Sequence, residues 1–167
     1  MTLAKRRAAA RKHQPDHIKL LLVAEAPPCD GERYFYYPDV EQHDWLYRYV
    51  WQALSGQKPE KNEKAANLKR LRDAGVFLID LCEEDIAKPK LKDLEPHAPG
   101  LVERAKKLSP DHVVVIKATV YDAAFAPLKD AGLPVIDERI PFPSSGQQKN
   151  FLESFTRAAK KAGVSID

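Results

Sequence analysis

The chain has 167 residues, of which 44% are apolar and 31% charged, and its formal net charge at pH 7 is +3. This composition is typical of a folded protein and excludes an intrinsically disordered chain. Two cysteines are too few for a disulfide framework or for a four-cysteine metal or iron–sulfur site. The longest apolar run, residues 18–24, is far shorter than the roughly 20 residues that cross a bilayer, so we expect no membrane span and a cytoplasmic protein.

Four short apolar runs predict β-strands. They cover residues 17–24, 76–81, 112–118 and 133–136. Nearly continuous aliphatic runs suit strands that are covered on both faces, and helical patterns rather than hairpin turns separate them. The pattern predicts a parallel sheet in an α/β protein.

Helical periodicity fills the intervals between these runs. The predicted helices cover residues 41–54, 63–74, 99–108, 120–130 and 147–162. In the first of them, Trp45, Leu46, Tyr49 and Val50 have the spacing of one apolar face, and Gly56 ends the helix.

The remaining segments predict irregular structure. Residues 83–99 contain three prolines and predict a long loop or irregular arm. Residues 1–15 predict a basic extension, either flexible or helical. We expect one domain that covers residues 1–167, because a chain of this length can bury a single core.

Distinctive residues follow the predicted strands. The first strand ends in residues 24–28, Ala-Glu-Ala-Pro-Pro, and an aromatic cluster follows at residues 34–37. The second strand ends at Asp80, and residues 141–146 after the fourth read Pro-Phe-Pro-Ser-Ser-Gly. Open parallel sheets bind ligands beyond the carboxyl ends of their strands, so we expect these residues to meet there.

The order and spacing of these elements over residues 17–162 resemble the uracil-DNA glycosylase superfamily, and most closely its branch with a Gly-Glu-Ala-Pro-Gly motif. The resemblance implies a uracil-DNA glycosylase-like αβα fold of three layers, with four parallel strands in the spatial order 2-1-3-4. It also implies a monofunctional DNA glycosylase that hydrolyses the N-glycosidic bond of uracil or another deaminated base in DNA repair. Its partner would be damaged or single-stranded DNA, and we expect a monomer.

By this resemblance, Glu25 would be catalytic, because it would hold or activate the attacking water and oppose the charge that develops on the sugar. Phe35 would stack on the flipped base, and Asp80 would contact the base edge from the position of a family asparagine. An ionised aspartate only accepts hydrogen bonds, so it suits uracil less well than asparagine. Structural alternatives remain: the carboxylates can cap backbone N–H groups, and Phe35 can pack its loop on the core.

The loop before the last predicted helix contains the residues that the family uses on the DNA backbone. Pro143 and Ser144 match the end of its His-Pro-Ser motif, Ser145 follows, and Lys149 lies just inside the helix. The resemblance implies that these four residues bind DNA, since a helix N-terminus and a lysine both suit phosphate. Ser145 is also predicted to cap the helix.

The chain departs from the family at several positions. Phe142 stands where many relatives have a histidine that stabilises the departing base, and phenylalanine cannot donate a hydrogen bond. Pro28 replaces a tyrosine that in some relatives excludes the thymine methyl group. Relatives with an iron–sulfur cluster use four cysteines, whereas this chain has Cys29 and Cys82. We predict no cofactor and no metal, since metal-ligand spacing is not found among His43, His97 and His112.

Two alternatives to a glycosylase remain open. A member of the same superfamily that binds nucleic acid without cutting it would explain the missing histidine. An unrelated α/β enzyme that acts on nucleotides or other small molecules is the second alternative, although no glycine-rich phosphate loop follows a strand.

Overall fold

The computed structural model of the protein describes residues 2–39 and 44–167. Its centre is a parallel sheet of three strands, β1 (Leu20–Ala24), β2 (Val76–Asp80) and β3 (His112–Val115), in the order β2-β1-β3. Every residue of β1 is buried, so both faces of this strand are covered, which is the reason for its uninterrupted apolar run. The predicted parallel α/β architecture and the relative order of these three strands are confirmed.

The register of the sheet aligns the carboxyl ends of the three strands. Ala24 lies opposite Asp80, and Val23 lies opposite Val115. The ladder continues beyond the strands, because the N–H of Ile116 donates to Val23 O at 2.9 Å on one side and Leu81 N–H donates to Ala24 O at 2.8 Å on the other. The residues that follow the strands are therefore held at one edge.

Helices fill the connections between the strands. They are α1 (Leu3–Lys12), α2 (Trp45–Ser55), α3 (Lys64–Asp73), α4 (Leu91–Leu94), α5 (Ala98–Leu108), α6 (Ala118–Asp130) and α7 (Gln148–Ala162), with a 3-10 turn at Glu95–His97. The predicted helices at 63–74, 99–108, 120–130 and 147–162 are confirmed as α3, α5, α6 and α7. The segment predicted as an irregular arm, residues 83–99, has no regular secondary structure up to Lys90 and then forms α4 and the 3-10 turn. In the described part of the chain, no helix is long and apolar enough to cross a membrane.

The prediction of a fourth strand is wrong. Residues 133–140 run beside β3, as the predicted order 2-1-3-4 requires, but they form only two isolated parallel bridges, at Val135 and Ile140. Pro134 has no N–H to donate, and the chain leaves the ladder after the N–H of Ile136 donates to Val113 O at 2.8 Å. It returns only where Lys117 N–H donates to Ile140 O at 2.8 Å.

A local turn interrupts the ladder between the two bridges, because the N–H of Glu138 donates to Ile136 O at 2.9 Å. The three residues after Ile136 are charged and pair with neighbouring helices. Asp137 accepts a hydrogen bond from the hydroxyl of Tyr121 at 2.6 Å, and Arg139 pairs with Asp122 at 2.9 Å. Glu138 pairs with two cations of α7 at 3.2 and 3.3 Å. Asp137 and Arg139 thus contact α6 while Glu138 between them contacts α7, an alternation that a strand would also show, so these pairs hold the segment against the two helices and do not themselves break the ladder.

The apolar face of α2 differs from the predicted one. Its buried side chains are Tyr47, Val50, Trp51 and Leu54, and α2 packs against α7. Trp45 is instead 39% exposed. The helix ends at Gly56, as predicted, in a left-handed conformation. The predicted start at residues 41–43 lies outside the described residues, as does His43.

The basic N-terminal extension is helical. Helix α1 contacts the segment after β2, where Arg6 Nη2 donates to Glu83 O at 3.0 Å and Arg7 forms two bonds to the Glu83 carboxylate, at 2.9 and 3.2 Å. Arg6 is only 5% exposed. Of the two states predicted for this extension, the helical one is confirmed over Leu3–Lys12, where long-range polar contacts hold it in place.

Candidate functional site

A cavity of about 330 Å³ opens at the carboxyl edge of the sheet. Each strand contributes one charged residue to its lining: Glu25 follows β1, Asp80 ends β2, and Lys117 follows β3 by two positions. Phe35 and Phe142 line it from loops. The structure thus brings together Glu25, Phe35 and Asp80, the three residues that the sequence predicts to contact the sugar and base.

Glu25 and Lys117 form an ion pair inside the cavity. The Nζ of Lys117 lies 2.7 Å from Oε2 of Glu25, and the two side chains are 39% and 18% exposed. This is the distance of a charge-assisted hydrogen bond, and Oε2 is buried beneath the lysine ammonium. Glu25 is therefore charge-paired, and Lys117 must move before Oε2 can accept from a water or a ligand.

Lys117 occupies this position at a cost to stability. Its φ of 85° lies in a region that residues with a side chain rarely adopt, and such strain costs on the order of 1–3 kcal/mol. It also stands at the N-terminus of α6, where the helix dipole disfavours a cation. Backbone strain of this kind is common at functional sites, which makes Lys117 a candidate site residue.

Asp80 lies in a desolvated position at the end of β2. Burial is the main cause that raises the pKa of its carboxyl group to about 7; the charges of Arg104 and Arg6 lower this pKa, and those of Glu83 and Glu25 raise it. Arg104 donates to the main-chain oxygen of Asp80 at 2.9 Å and does not hydrogen bond to the carboxyl group. Near neutral pH the carboxyl group is therefore present both as an acceptor and as a protonated donor.

Phe35 lines the cavity and also belongs to the core. It is 7% exposed, and its ring packs edge-on against Tyr36 at 5.1 Å and Tyr47 at 6.4 Å between centroids. Tyr36 fixes the loop to β2, because its hydroxyl accepts from Leu78 N–H at 2.6 Å and donates to Leu78 O at 3.0 Å. The structural alternative for Phe35 is thus correct, and only a small part of its surface is open to a ligand.

A buried lysine supports the same aromatic loop. Lys64 is fully buried, and its Nζ donates to Tyr34 O at 3.2 Å and to Oδ2 of Asp44 at 2.5 Å. The ammonium also lies 5.0 Å from the centre of the Tyr47 ring. A buried cation with several partners holds its neighbours in one arrangement, which here fixes the cavity wall formed by Tyr34 and Asp44.

Trp45 offers a second aromatic surface to the cavity. It lies in the cavity lining at the first position of α2 and stacks on Tyr49 with 6.2 Å between ring centroids. A stacked and exposed indole presents a flat face to a planar ligand. Helical spacing predicts Trp45 on the apolar face of α2, and this spacing gives no sign of its place at the site.

The loop predicted to bind DNA lies beside the cavity but does not line it. Phe142 is in the lining, whereas Pro143, Ser144, Ser145 and Lys149 are not. Ser145 does not cap the last helix: its φ is 53°, and the cap is Gln147. The prediction failed because a turn over residues 144–147 delays the start of α7 to Gln148.

Two further kinds of chemistry, metal binding and thiol reactivity, have little support among the described residues. Within residues 2–39 and 44–167, no group of three His, Cys, Asp or Glu side chains could hold a metal ion. Cys29 is exposed, and burial raises the pKa of the buried Cys82 thiol to about 11. Cys82 is therefore a protonated thiol at neutral pH and a poor nucleophile.

Lys117 is the main site residue that sequence reasoning missed. It interrupts the apolar run at residues 112–118, and a charge at the end of a buried strand is the signal that could have identified it.

No protein-family model matches the chain, and no curated protein is significantly similar to it in sequence. The resemblance to the uracil-DNA glycosylase superfamily accordingly rests on the motifs at the strand ends.

The raised pKa of Asp80 predicts how the free energy of unfolding depends on pH. The folded-state pKa of about 7 exceeds the usual 3.8, so the contribution of Asp80 is full below pH 4, falls between about pH 4 and 7, and stays low above pH 7. Asp80→Asn removes this decline. We expect its stability relative to the parent to rise by about 2–4 kcal/mol from pH 4 to 8, as measured by urea unfolding. The control is Asp130→Asn, an exposed carboxylate; a pH-independent difference for Asp80→Asn would contradict the prediction.

Proposed function

We propose that the protein is a DNA glycosylase-type enzyme that hydrolyses the N-glycosidic bond of uracil or another deaminated base. One observation carries this proposal: Glu25, Asp80 and Lys117 meet in a single cavity with aromatic walls at the carboxyl edge of the sheet. The cavity volume of about 330 Å³ is at the small end of the roughly 300–1,000 Å³ of ligand pockets, which suits one nucleobase better than a large ligand.

Glu25 acts on the sugar in this mechanism. As the bond between C1′ and the base nitrogen breaks, the electron pair goes to the base and positive charge develops on the sugar. The Glu25 carboxylate stabilises that charge and orients a water, whose oxygen bonds to C1′ and whose proton passes to the carboxylate. The position of Glu25 in the cavity lining, beside a cation that can turn to the departing base, supports this role.

Lys117 supplies the positive charge that Phe142 cannot. Both residues line the cavity, and the ammonium has three N–H donors where the phenyl ring has none. When substrate binds, Lys117 faces the negative charge on the departing base and releases Glu25 to face the sugar. A lysine from the end of β3 thereby performs the task of the family histidine.

Asp80 and the aromatic residues of the cavity wall recognise the base. A protonated Asp80 donates one hydrogen bond and accepts another, which matches a base that presents an acceptor beside an amino group. An ionised Asp80 accepts only and faces the lone pairs of uracil O4. Trp45 has more exposed surface than Phe35 and is the better stacking partner for an entering base.

A second candidate function is binding of damaged or single-stranded nucleic acid without cleavage. The apolar Phe142 in the lining favours it, and so does the ion pair at 2.7 Å, which neutralises Glu25 in the unliganded protein. Oligonucleotides with uracil, hypoxanthine, xanthine or a mismatch distinguish the two functions. After incubation and alkali treatment, strand scission identifies an enzyme, whereas retention in a binding assay without scission identifies a binder.

Glu25→Gln tests the catalytic carboxylate. The amide has the same shape but no charge, so we expect single-turnover excision to fall about 100-fold or more while DNA affinity stays within about two-fold. The rates are measured on the best base of the oligonucleotide panel. Glu103→Gln, an exposed carboxylate on α5, is the control and should be unchanged. An undiminished rate in Glu25→Gln would remove this residue from the mechanism.

Lys117→Met tests the replacement of the histidine. Excision of uracil should fall about ten-fold or more, and Lys117→Arg should retain part of the rate because it keeps the charge. The loss should be smaller for 5-fluorouracil, since its departing anion is stabilised by fluorine and needs less help. Lys129→Met, which removes an exposed lysine from the same helix, is the matched control. An equal loss for both bases would assign Lys117 to another step.

Asp80→Asn tests how the base is read. Asparagine can accept from uracil N3–H and donate to O4, whereas an ionised aspartate is repelled by O4, a difference of about 1–3 kcal/mol. We expect Asp80→Asn to raise excision or affinity toward uracil-containing DNA relative to the parent, most strongly at pH 8. Single-turnover rates and binding are compared from pH 5 to 8. If the uracil preference is the same at every pH, Asp80 does not read the base.

A further inference from the structure

A second cavity, of about 460 Å³, lies where α1 and α5 meet β2. It is separated from the candidate site by a wall that consists of Tyr34, Leu78 and Asp80, which line both cavities. None of the other residues in the two linings is shared. The second cavity is thus a distinct space that touches the candidate site through its base-reading residue.

The lining of this second cavity is strongly cationic. Its cations come from two helices far apart in the sequence: Arg6, Arg7 and Arg11 on α1, and Arg104 and Lys107 on α5. Its carboxylates are Asp80 and Glu83, and Glu83 is held by the bidentate contact of Arg7. The excess of positive charge favours an anion, and a doubly charged one most of all.

Arg6 gives the cavity a built donor group. It is 5% exposed, yet in the described structure its guanidinium makes one hydrogen bond, to Glu83 O at 3.0 Å, and its nearest carboxylate, Glu84, is 3.6 Å away. A guanidinium has five N–H donors, and no Arg6 nitrogen is among the buried side-chain atoms that lack a partner in the described structure, so the remaining donors are accessible from the cavity. Oxygen atoms of an anion in the cavity would accept from them.

The floor of the second cavity is apolar. It is formed by side chains from α1, β2 and the end of α5: Leu3, Ala10, Phe77, Ile79 and Leu108. A small inorganic anion would leave this surface uncovered, whereas an anion with an apolar or aromatic body would bury it. The cavity volume is within the range of small-molecule sites, about 300–1,000 Å³.

We propose that this second cavity is a binding site for a phosphomonoester with an aromatic body, such as a nucleoside monophosphate or the 5′-phosphorylated end of a DNA strand. The phosphate binds at Arg6 and Lys107, since arginine offers paired donors to phosphate oxygens and lysine adds a point charge. The aromatic body covers the apolar floor. This inference does not depend on the glycosylase activity proposed for the first cavity.

The test uses 1-naphthyl phosphate, an aromatic phosphomonoester that is not a nucleobase and so does not address base reading. We expect saturable binding by fluorescence titration, weaker at high salt, with 1-naphthol and inorganic phosphate each binding at least ten-fold more weakly. Amide chemical shifts should change at Ala10 and Leu108 rather than at Trp45. Binding that is not saturable up to about 10 mM, or shifts confined to the first cavity, would overturn the proposal.

Variants on α5 provide a matched pair. Lys107 lines the cavity and Lys106, its exposed neighbour, does not, so Lys107→Gln should weaken binding about five-fold or more and Lys106→Gln should have no effect. Arg6→Met should abolish binding, and circular dichroism checks that α1 remains folded. Equal affinities of the two lysine variants would contradict the assignment.

Competition identifies the source of the phosphate. Displacement of 1-naphthyl phosphate by adenosine monophosphate supports a free nucleotide, and displacement only by a 5′-phosphorylated oligonucleotide supports a DNA end. If neither displaces it, the nucleotide class is wrong.

Discussion

The parallel register around β1 is the constraint on which the rest of the structure depends. Because Ala24 lies opposite Asp80 and Val23 opposite Val115, the chain after each strand leaves the sheet at one edge. Glu25, Asp80 and Lys117 are neighbours only through this alignment. A slip of one residue in either pairing would turn every side chain of the shifted strand to the other face of the sheet and separate the three charges.

Charge burial and backbone strain both destabilise the folded protein at this edge of the sheet. Asp80 is desolvated enough that its pKa is raised to about 7, and Lys117 combines a left-handed backbone with a position at a helix N-terminus. The aromatic loop beside them is fixed by the buried Lys64 and by the hydroxyl of Tyr36. A rigid wall around strained and perturbed charges is the arrangement that functional sites commonly show.

The segment after β2 links this edge to the N-terminal helix. Glu83 binds Arg7 through its carboxylate and Arg6 through its main-chain oxygen, and Arg104 holds the main-chain oxygens of Asp80 and Leu81 at 2.9 and 3.0 Å. Arg104 and Arg6 lie close enough to Asp80 to lower its pKa. The charge state of Asp80 therefore depends on elements that form the second cavity, and an anion bound there would act on Asp80 across their common wall.

The sequence by itself determined the elements whose signal is local. Continuous apolar runs predicted β1, β2 and β3, and helical periodicity predicted α3, α5, α6 and α7, because burial on two faces or on one stripe leaves a period in the residues themselves. The strand-end motifs also directed attention to Glu25, Phe35 and Asp80, which the structure brings to one cavity. The family and the activity that these motifs imply remain proposals.

Tertiary structure decided what depends on distant partners. The run at 133–136 is as apolar as a strand, but Pro134 has no N–H to donate and the N–H of Glu138 bonds locally to Ile136 O, so only isolated bridges to β3 form. The residues of α2 offered two overlapping apolar stripes, and only packing on α7 selected the one that leaves Trp45 exposed. The pairing of Glu25 with Lys117 could not be predicted from either strand alone, because the two residues meet only when β1 and β3 pair side by side.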